Sequence, residues 1–379
     1  MDFMAQGPRI YLDHAATTPM RPEAELAMRE GFAFWANPSS PHAEGRKARA
    51  ALEDARARIK TAFNWEGELI FTSGASEALA IGLARAKANR RMVSAVEHDA
   101  VFRAAPDAQV LPIGTDWTID RNMLSDALAS GPKAAVAIQH VNSETGAKQP
   151  VSDLSAQVRE AGGLLISDCS QSAGKFDLPD ADMIVVSAHK LGGPVGIGAL
   201  LVRDFEMLEP TGGQEQGYRA GTENLPATLA FAAAVEARGI ATQTVGEGMN
   251  SQSIAGEAEW LMTAGYAFVD IEYEVNRHGG IFQMSPSQWS DYSILSITMP
   301  GVSASAQLIR FDAAGFAVSA GSACSSGTLK PSRALMAFGV GEADARNTIR
   351  MSAGWNTKFE EIMSFVKLWQ QIAAGVARA

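Results

Sequence analysis

From Arg21 onward the chain alternates two periodicities. "AEGRKARAALEDARARIKTAF" and "SEALAIGLARAKAN" repeat apolar positions at helical spacing, while "ELIFT", "MVSAVE", "KAAVAIQHV", "GLLISD", "ADMIVVS" and "IGALLV" are short apolar runs of strand length. Helical "VSDLSAQVREAG" precedes "GLLISD". Such βα alternation predicts an α/β fold with a mostly parallel sheet covered by helices on both faces, and ligands at the carboxyl ends of its strands. "NLPATLAFAAAVEARG" reads as a long amphipathic helix closing this large domain. Beyond it, polar "TQTVGEGMNSQSIAGEAEW", strand-like "SILSITMP" and helix-like "SAQLIRFDAAG" predict a smaller α+β domain, with a boundary near Gly246.

One junction stands out. In "VVSAHKLGGPVGIGALLV" a lysine stands between two apolar runs, so Ser187 to Gly196 reads as an exposed bend joining two strands. Lys190 is then either a surface loop lysine or an amine held at a sheet edge within reach of a cofactor.

At 379 residues, with 46% hydrophobic and 20% charged positions, the chain has the composition of a globular protein with a large core. Its net charge of −10 and lack of long basic runs argue against nucleic-acid binding. No apolar stretch reaches the roughly 18 residues of a membrane span, and "MDFMAQGPRI" has no signal-peptide character, so a cytoplasmic protein is expected. The two cysteines, Cys169 and Cys324, are too few for a disulfide framework and lack CxxC spacing, so no resident metal is expected.

Polar residues punctuate the strand ends. "FTSGASEA" follows a strand and opens a helix, where the amides of Gly74, Ala75 and Ser76 and the Ser76 hydroxyl could cradle a phosphate or merely cap the helix. His98 follows "MVSAVE", where a structural role is the ordinary alternative. Asp168 ends an apolar strand, Gln171 lies three positions on, and Ser187, His189 and Lys190 share the next bend. An aspartate and a lysine on neighbouring strand ends suit pyridoxal 5'-phosphate: the lysine forms the Schiff base, and the carboxylate keeps the pyridine nitrogen protonated.

These residues lie within a longer series: "YLDHAATTP", "NPSSPH", "FTSGASEA", "EHDAV", "VNSETGAKQPV", "SDCSQSAGK", "SAHKLGGPVGIGALLV", "GGQEQGYRAGTEN", "SAGSACSSG" and "IRMSAGWNT". Their order and spacing resemble those of cysteine desulfurases of the NifS/IscS type, in the class V aminotransferase group of fold-type I PLP enzymes. The resemblance covers nearly the whole chain except about Thr242 to Ser290. It implies a large domain over residues 14–246 and a small domain from residues 1–13 and 247–379. It also implies a homodimer that takes sulfur from L-cysteine, leaving L-alanine, and hands it to an acceptor or iron-sulfur scaffold protein for cluster assembly or tRNA thiolation. A selenocysteine lyase or another class V enzyme is the near alternative, and a non-catalytic iron-sulfur assembly scaffold the distant one.

Residue by residue, the resemblance makes Lys190 the cofactor lysine, Asp168 the pyridinium partner and Gln171 the donor to the phenolic oxygen. His98 becomes the imidazole that stacks on the ring, and Asn142 a contact to cofactor or substrate. Ala75, Ser76, Ser187 and His189 match the phosphate cup, completed by Thr222 from the second subunit. Arg350 matches the clamp for the substrate carboxylate, supported by Asn37. Cys324 matches the persulfide cysteine, with transient iron-sulfur ligation as a further capacity. Small residues around it suit an arm carrying a thiol between sites, and Ser-Ser-Gly after it, without an "RxGHxC" context, matches the longer-loop group. His14, Ser76, Cys169 and Gln216 depart from the family's usual residues. Cys169, one residue after Asp168, should point to the opposite face and fill core.

Overall fold

The computed structural model describes residues 9–243, 271–286, 290–321 and 330–376. Cys324, the boundary near Gly246 and most of the divergent stretch 242–290 lie outside these residues. The large sheet has seven strands: β2 (Glu68–Thr72), β3 (Arg90–Ser94), β4 (Gln109–Leu111), β5 (Ala134–Ala137), β6 (Leu164–Asp168), β7 (Met183–Ser187) and β8 (Gly198–Val202). Their order is β2-β8-β7-β6-β5-β3-β4. Only β8 runs against its neighbours, pairing antiparallel with both β2 and β7. The other pairs are parallel, as the βα alternation predicts.

β7 and β8 are buried at every position, which is why they read as unbroken apolar runs. Alternation is still present in them. Ile184, Val186 and Leu201 join a core with Phe71 and Phe231 on one face, whereas Met183, Val185 and Leu200 join Ile70 and Leu79 on the other.

Helix α1 (Pro22–Gly31) and α2 (Ala43–Ala62) precede β2. α2 buries Ala48, Leu52, Ala55 and Ile59, a stripe at helical spacing, and exposes most of its charges. α3 (Ala75–Arg85) follows β2, α4 (Asp99–Ala104) follows β3, α5 (Arg121–Ala129) precedes β5, and α6 (Val151–Glu160) precedes β6. α7 (Leu225–Gln243) differs from the expected amphipathic helix. Its described side chains are mostly buried, because α1 and α2 pack against it and leave little of its surface to water.

A second core holds Leu12, Leu295, Ile349, Phe311, Phe365 and Trp369. Its three-stranded antiparallel sheet sets β10 (Ile294–Thr298) between β9 (Ile281–Gln283) and β12 (Thr348–Ser352). The helices Ala304–Ala313 and Phe359–Val376 cover it, and Phe311 stacks on Phe365 with ring centroids 4.9 Å apart. Near the N-terminus, β1 (Ile10–Tyr11) pairs in parallel with β11 (Phe316–Ala317). Residues 12–18 then pass from this second core to the carboxyl ends of the large sheet.

Candidate active site

The reversal of β8 makes the bend after β7 a return to the neighbouring strand. This bend is not the exposed one that its glycines suggest. Ser187, Ala188 and Leu191 are buried, and only Val195 and Gly196 are exposed. Residues 15–21 cover it: Thr18 N donates to the His189 carbonyl (2.8 Å) and Arg21 N to that of Gly192 (2.8 Å). Lys190 is thus held under the N-terminal segment, where Nζ donates to the carbonyls of Ala15 and Ala16. Burial lowers its pKa to about 8, with Arg350 acting in the same direction and Asp168 and Asp13 opposing.

Asp168 ends β6, adjacent to β7 in the sheet, so the lysine and the aspartate do occupy neighbouring strand ends. Asp168 Oδ1 accepts from Ser170 N (2.9 Å). Gln171 is buried and donates through Nε2 to the Ala15 carbonyl (2.9 Å), so one backbone oxygen receives both the glutamine and the lysine. His98 caps α4: its Nδ1 accepts from Ala100 N (3.1 Å), which places the neutral ring's proton on Nε2.

The cup residues meet through strand register. Ser187 lies opposite Gly198, and Gly198 opposite Thr72, two residues before Gly74. A Cβ on Gly198 would come within 2.6 Å of the Val186 carbonyl and 2.8 Å of Gly74 Cα, so only glycine permits this approach. Gly74 itself has φ 150°, in a region that disfavours a side chain, and a Cβ there would meet nothing within 4 Å. A side chain at Gly74 would thus point into open space beside the N-terminus of α3, where Ala75 is half-buried and Ser76 exposed. His189 Nδ1 lies 3.1 Å from Thr17 Oγ1, and burial together with Lys190 lowers its pKa to about 4, so it is neutral. An amine of lowered pKa, a nearby carboxylate, a glutamine donor and an open helix N-terminus together fit a pyridine ring carrying an aldehyde and a phosphate.

Arg350, on β12, reaches this end from the second core. Nη1 donates to the Ser143 carbonyl (2.9 Å) and Nη2 to Asp13 Oδ1 (2.8 Å). Asn142 is buried and engaged at both side-chain atoms: Oδ1 accepts from Glu144 N, Thr145 N and Thr145 Oγ1, while Nδ2 donates to the Val96 carbonyl. It thereby builds the turn that holds Arg350. Asn37 is exposed, accepts from Ser39 N (2.8 Å), and makes no hydrogen bond to Arg350. Thr222 is exposed as well. Its loop is tied to β2 by Glu215, which takes Arg56 on both carboxylate oxygens (2.8 and 3.1 Å) and Phe71 N (2.8 Å). Glu215 and Gln216 both have left-handed backbones, with φ 48° and 57°.

The departures resolve in physical terms. His14 is buried against Gly354, with Nε2 3.2 Å from Thr357 Oγ1, so it packs within the fold. Cys169 is fully buried in the core, and burial raises its thiol to about 12. Gln216 lies exposed on the strained turn.

Residue-type reasoning passed over Asp13, although "YLDHAATTP" was among the informative stretches. It also passed over Glu97, buried beside His98, and Arg333. Arg333 donates to the Glu97 carbonyl (2.6 Å), pairs with Asp99 (3.0 Å) and lies over the Phe102 ring (3.6 Å), pinning α4 to the helix Arg333–Ala337.

Comparison with known proteins agrees with this geometry. The sequence model described as aminotransferase class-V matches residues 10–365. The cysteine desulfurase of Frankia sp. (strain EuIK1) is 35% identical, covering 95% of this chain and 90% of its own length. The putative cysteine desulfurase IscS 1 of Bacillus subtilis (strain 168) is 33% identical, covering 95% and 97%. Among solved structures, the NifS-like protein from Rickettsia africae ESF-5 superposes with a TM-score of 0.83 at 26% identity, over 96% of this chain and 99% of that one. SspA in complex with cysteine superposes with a TM-score of 0.71 at 28% identity, over 92% and 100%.

Proposed function

The chain belongs to the class-V aminotransferase family as a cysteine desulfurase of the NifS/IscS type, and from that premise we propose which residues take sulfur from L-cysteine and how. The observation that carries the assignment is the meeting of Lys190, Asp168 and Arg350 from three elements at one end of the large sheet. Pyridoxal phosphate, held by Lys190, Asp168, Gln171, Ser187, His189 and the N-terminus of α3, supplies an electron sink for charge developing at the substrate's α-carbon.

The chain's own groups do the rest. Arg350 binds the substrate carboxylate through its guanidinium fork. Lys190, with a pKa lowered to about 8, keeps roughly a tenth of its amine unprotonated at neutral pH, far more than an ordinary lysine, so it can receive and return the α-proton. His98 stands beside the site with its proton on Nε2, suited to exchanging a proton with the substrate. The Cys324 thiolate attacks the substrate sulfur; the new S–S bond forms as the carbon–sulfur bond breaks, and the electron pair left on carbon takes a proton to give L-alanine. The persulfide then passes to an acceptor protein, for iron-sulfur assembly or tRNA thiolation.

In this reading the enzyme is a homodimer in which Thr222 completes the partner's phosphate cup, with a large domain over residues 14–246 and the remaining residues forming the small one. Asn142 and Asn37 act at the substrate end, through the turn carrying Ser143 and through the rim. No described helix is long and apolar enough to cross a membrane, and the enzyme is proposed to work in the cytoplasm. The deciding experiment incubates purified, cofactor-loaded protein with L-cysteine under reductant and measures L-alanine and sulfide. Equimolar formation of both supports the proposal, and alanine formation without sulfur mobilisation, or neither product, overturns it.

A further inference from the structure

Arg350 approaches the site with a carboxylate already on it. Asp13 Oδ1 accepts from Nη2 at 2.8 Å, and the two side chains retain only 20% and 9% of their exposure. Asp13 is not a loose surface acid. Its backbone bridges to Ser352, two residues from Arg350 on β12, and the Tyr11 hydroxyl donates to its carbonyl (3.2 Å). On the other side of the guanidinium, Nη1 is fixed by the Ser143 carbonyl. A planar fork tied at two separate nitrogens to two rigid backbone segments has little rotational freedom. Nε is buried without a hydrogen-bond partner among the described residues, and each Nη keeps a second hydrogen.

We propose that Asp13 is a positioning residue for substrate recognition: by holding Nη2 against the Ser143 anchor, it sets Arg350 in advance for an α-carboxylate. The inference rests on the desulfurase reading of the site. Without Asp13 the guanidinium would be free to turn about its long side chain, and the incoming carboxylate would have to order it on binding. Asp13 touches Arg350 and not the reacting atoms, so its effect should fall on the carboxylate and leave the chemistry of the sulfur alone.

The test compares cofactor-loaded wild type with Asp13→Asn, which keeps size and an acceptor oxygen but loses the charge, and with Asp13→Glu, which keeps the charge. Equilibrium binding of L-alanine and of L-alaninamide is followed through the visible spectrum of the bound cofactor, and KM and kcat are measured for L-cysteine. L-Alanine affinity should fall roughly tenfold to a hundredfold in Asp13→Asn, the range for losing a charge-assisted contact. Alaninamide, which carries no carboxylate, should be unaffected. KM should rise in parallel with kcat little changed, and Asp13→Glu should recover part of the loss. If Asp13→Asn does not fold, Asp13→Glu alone should still show a smaller loss confined to the acid. Equal losses for acid and amide, or unchanged or tighter L-alanine binding, overturn the proposal. A wild type whose spectrum does not respond to L-cysteine overturns the desulfurase reading beneath it, a result separable from any difference between variants.

Discussion

Lys190 Nζ donates to the Ala16 carbonyl at 2.8 Å, joining the bend after β7 to a segment more than 170 positions earlier in the chain. Burial of the amine beneath this segment lowers its pKa to about 8, with the Arg350 cation acting in the same direction. In cofactor-free protein the free amine should therefore appear with a midpoint near pH 8, well below that of an ordinary lysine. The rate of pyridoxal phosphate capture, followed by absorbance across pH, should rise through that midpoint and level off above it. Lys190→Ala should lose the cofactor fixed by borohydride and at least ~10² to 10⁴ in turnover. Cofactor still reducible onto that variant would remove Lys190 from its role.

Glu97 gives a prediction about stability. Its Oε1 accepts from Ser94 Oγ (2.7 Å) and Gln139 N (2.8 Å), while Oε2 is buried without a partner among the described residues. Burial raises the carboxyl to about 8 from its usual 4.5. The folded protein thus binds a proton that the unfolded chain releases, so this stabilising contribution is complete below about pH 4.5 and is lost as pH rises through 8. Melting temperatures between about pH 5 and 8 should fall more steeply for wild type than for Glu97→Gln, whose amide does not titrate. Parallel curves for the two proteins would refute a protonated Glu97.

Gly198 ties a backbone demand to cofactor binding. Gly198→Ala must push its Cβ against the Val186 carbonyl and Gly74 Cα, both rigid backbone atoms. The expected cost is about 1–3 kcal/mol of stability. Because Gly74 opens the N-terminus of α3, displacement there should also lower cofactor content. Dialysis against limiting pyridoxal phosphate measures it, and full retention would show that the cup lies elsewhere.

How far the sequence could be read follows from which residues interact locally. β6, β7 and β8 were visible because burial on both faces makes continuous apolar runs, and the constellation Asp168, Gln171 and Lys190 because chemistry concentrates at their ends. α7 was misread because its character depends on α1 and α2 lying across it, a fact of packing and not of its own residues. The bend at 187–196 was misjudged for a similar reason: its glycines signal a turn, but the covering segment comes from residues 15–21. β1 and β11, two residues each, are too short to show any period. Asp13 and Arg350 lie 337 positions apart, so nothing local joins them.

The exposed position of Thr222, on a loop fixed to β2 through Glu215, suits it to a site on another copy of the chain. If it completes the partner's cup, mixing Lys190→Ala with Thr222→Ala chains should create heterodimers in which one site carries both defects and the other neither. Activity should then exceed that of either parent after subunit exchange. Exchange demonstrated by mass, with no recovery, would place Thr222 outside the partner's site.

Sulfur transfer requires a thiol that ionises and travels, and the chain has only two candidates, Cys169 and Cys324. Cys169 meets neither condition. It is fully buried, its backbone N is bonded to the Val185 carbonyl, and its thiol is held protonated by burial, with a pKa of about 12. At neutral pH such a group offers almost no thiolate, and reaching an acceptor would require β6 and its neighbours to separate. The proposed function assigns the sulfur to Cys324, and the small residues that flank it in "SAGSACSSG" suit that role. Cys324→Ser should still change the visible spectrum on adding L-cysteine but release no sulfide under reductant. Cys169→Ser, which places a hydroxyl beside Ser167, should keep most of its turnover. Brief exposure to L-cysteine, followed by proteolysis and mass spectrometry, should find the added sulfur atom on the Cys324 peptide. Iodoacetamide should alkylate Cys169 only after unfolding. Sulfur found on Cys169 alone, or unchanged turnover in Cys324→Ser, would overturn both the assignment and the argument from burial that supports it.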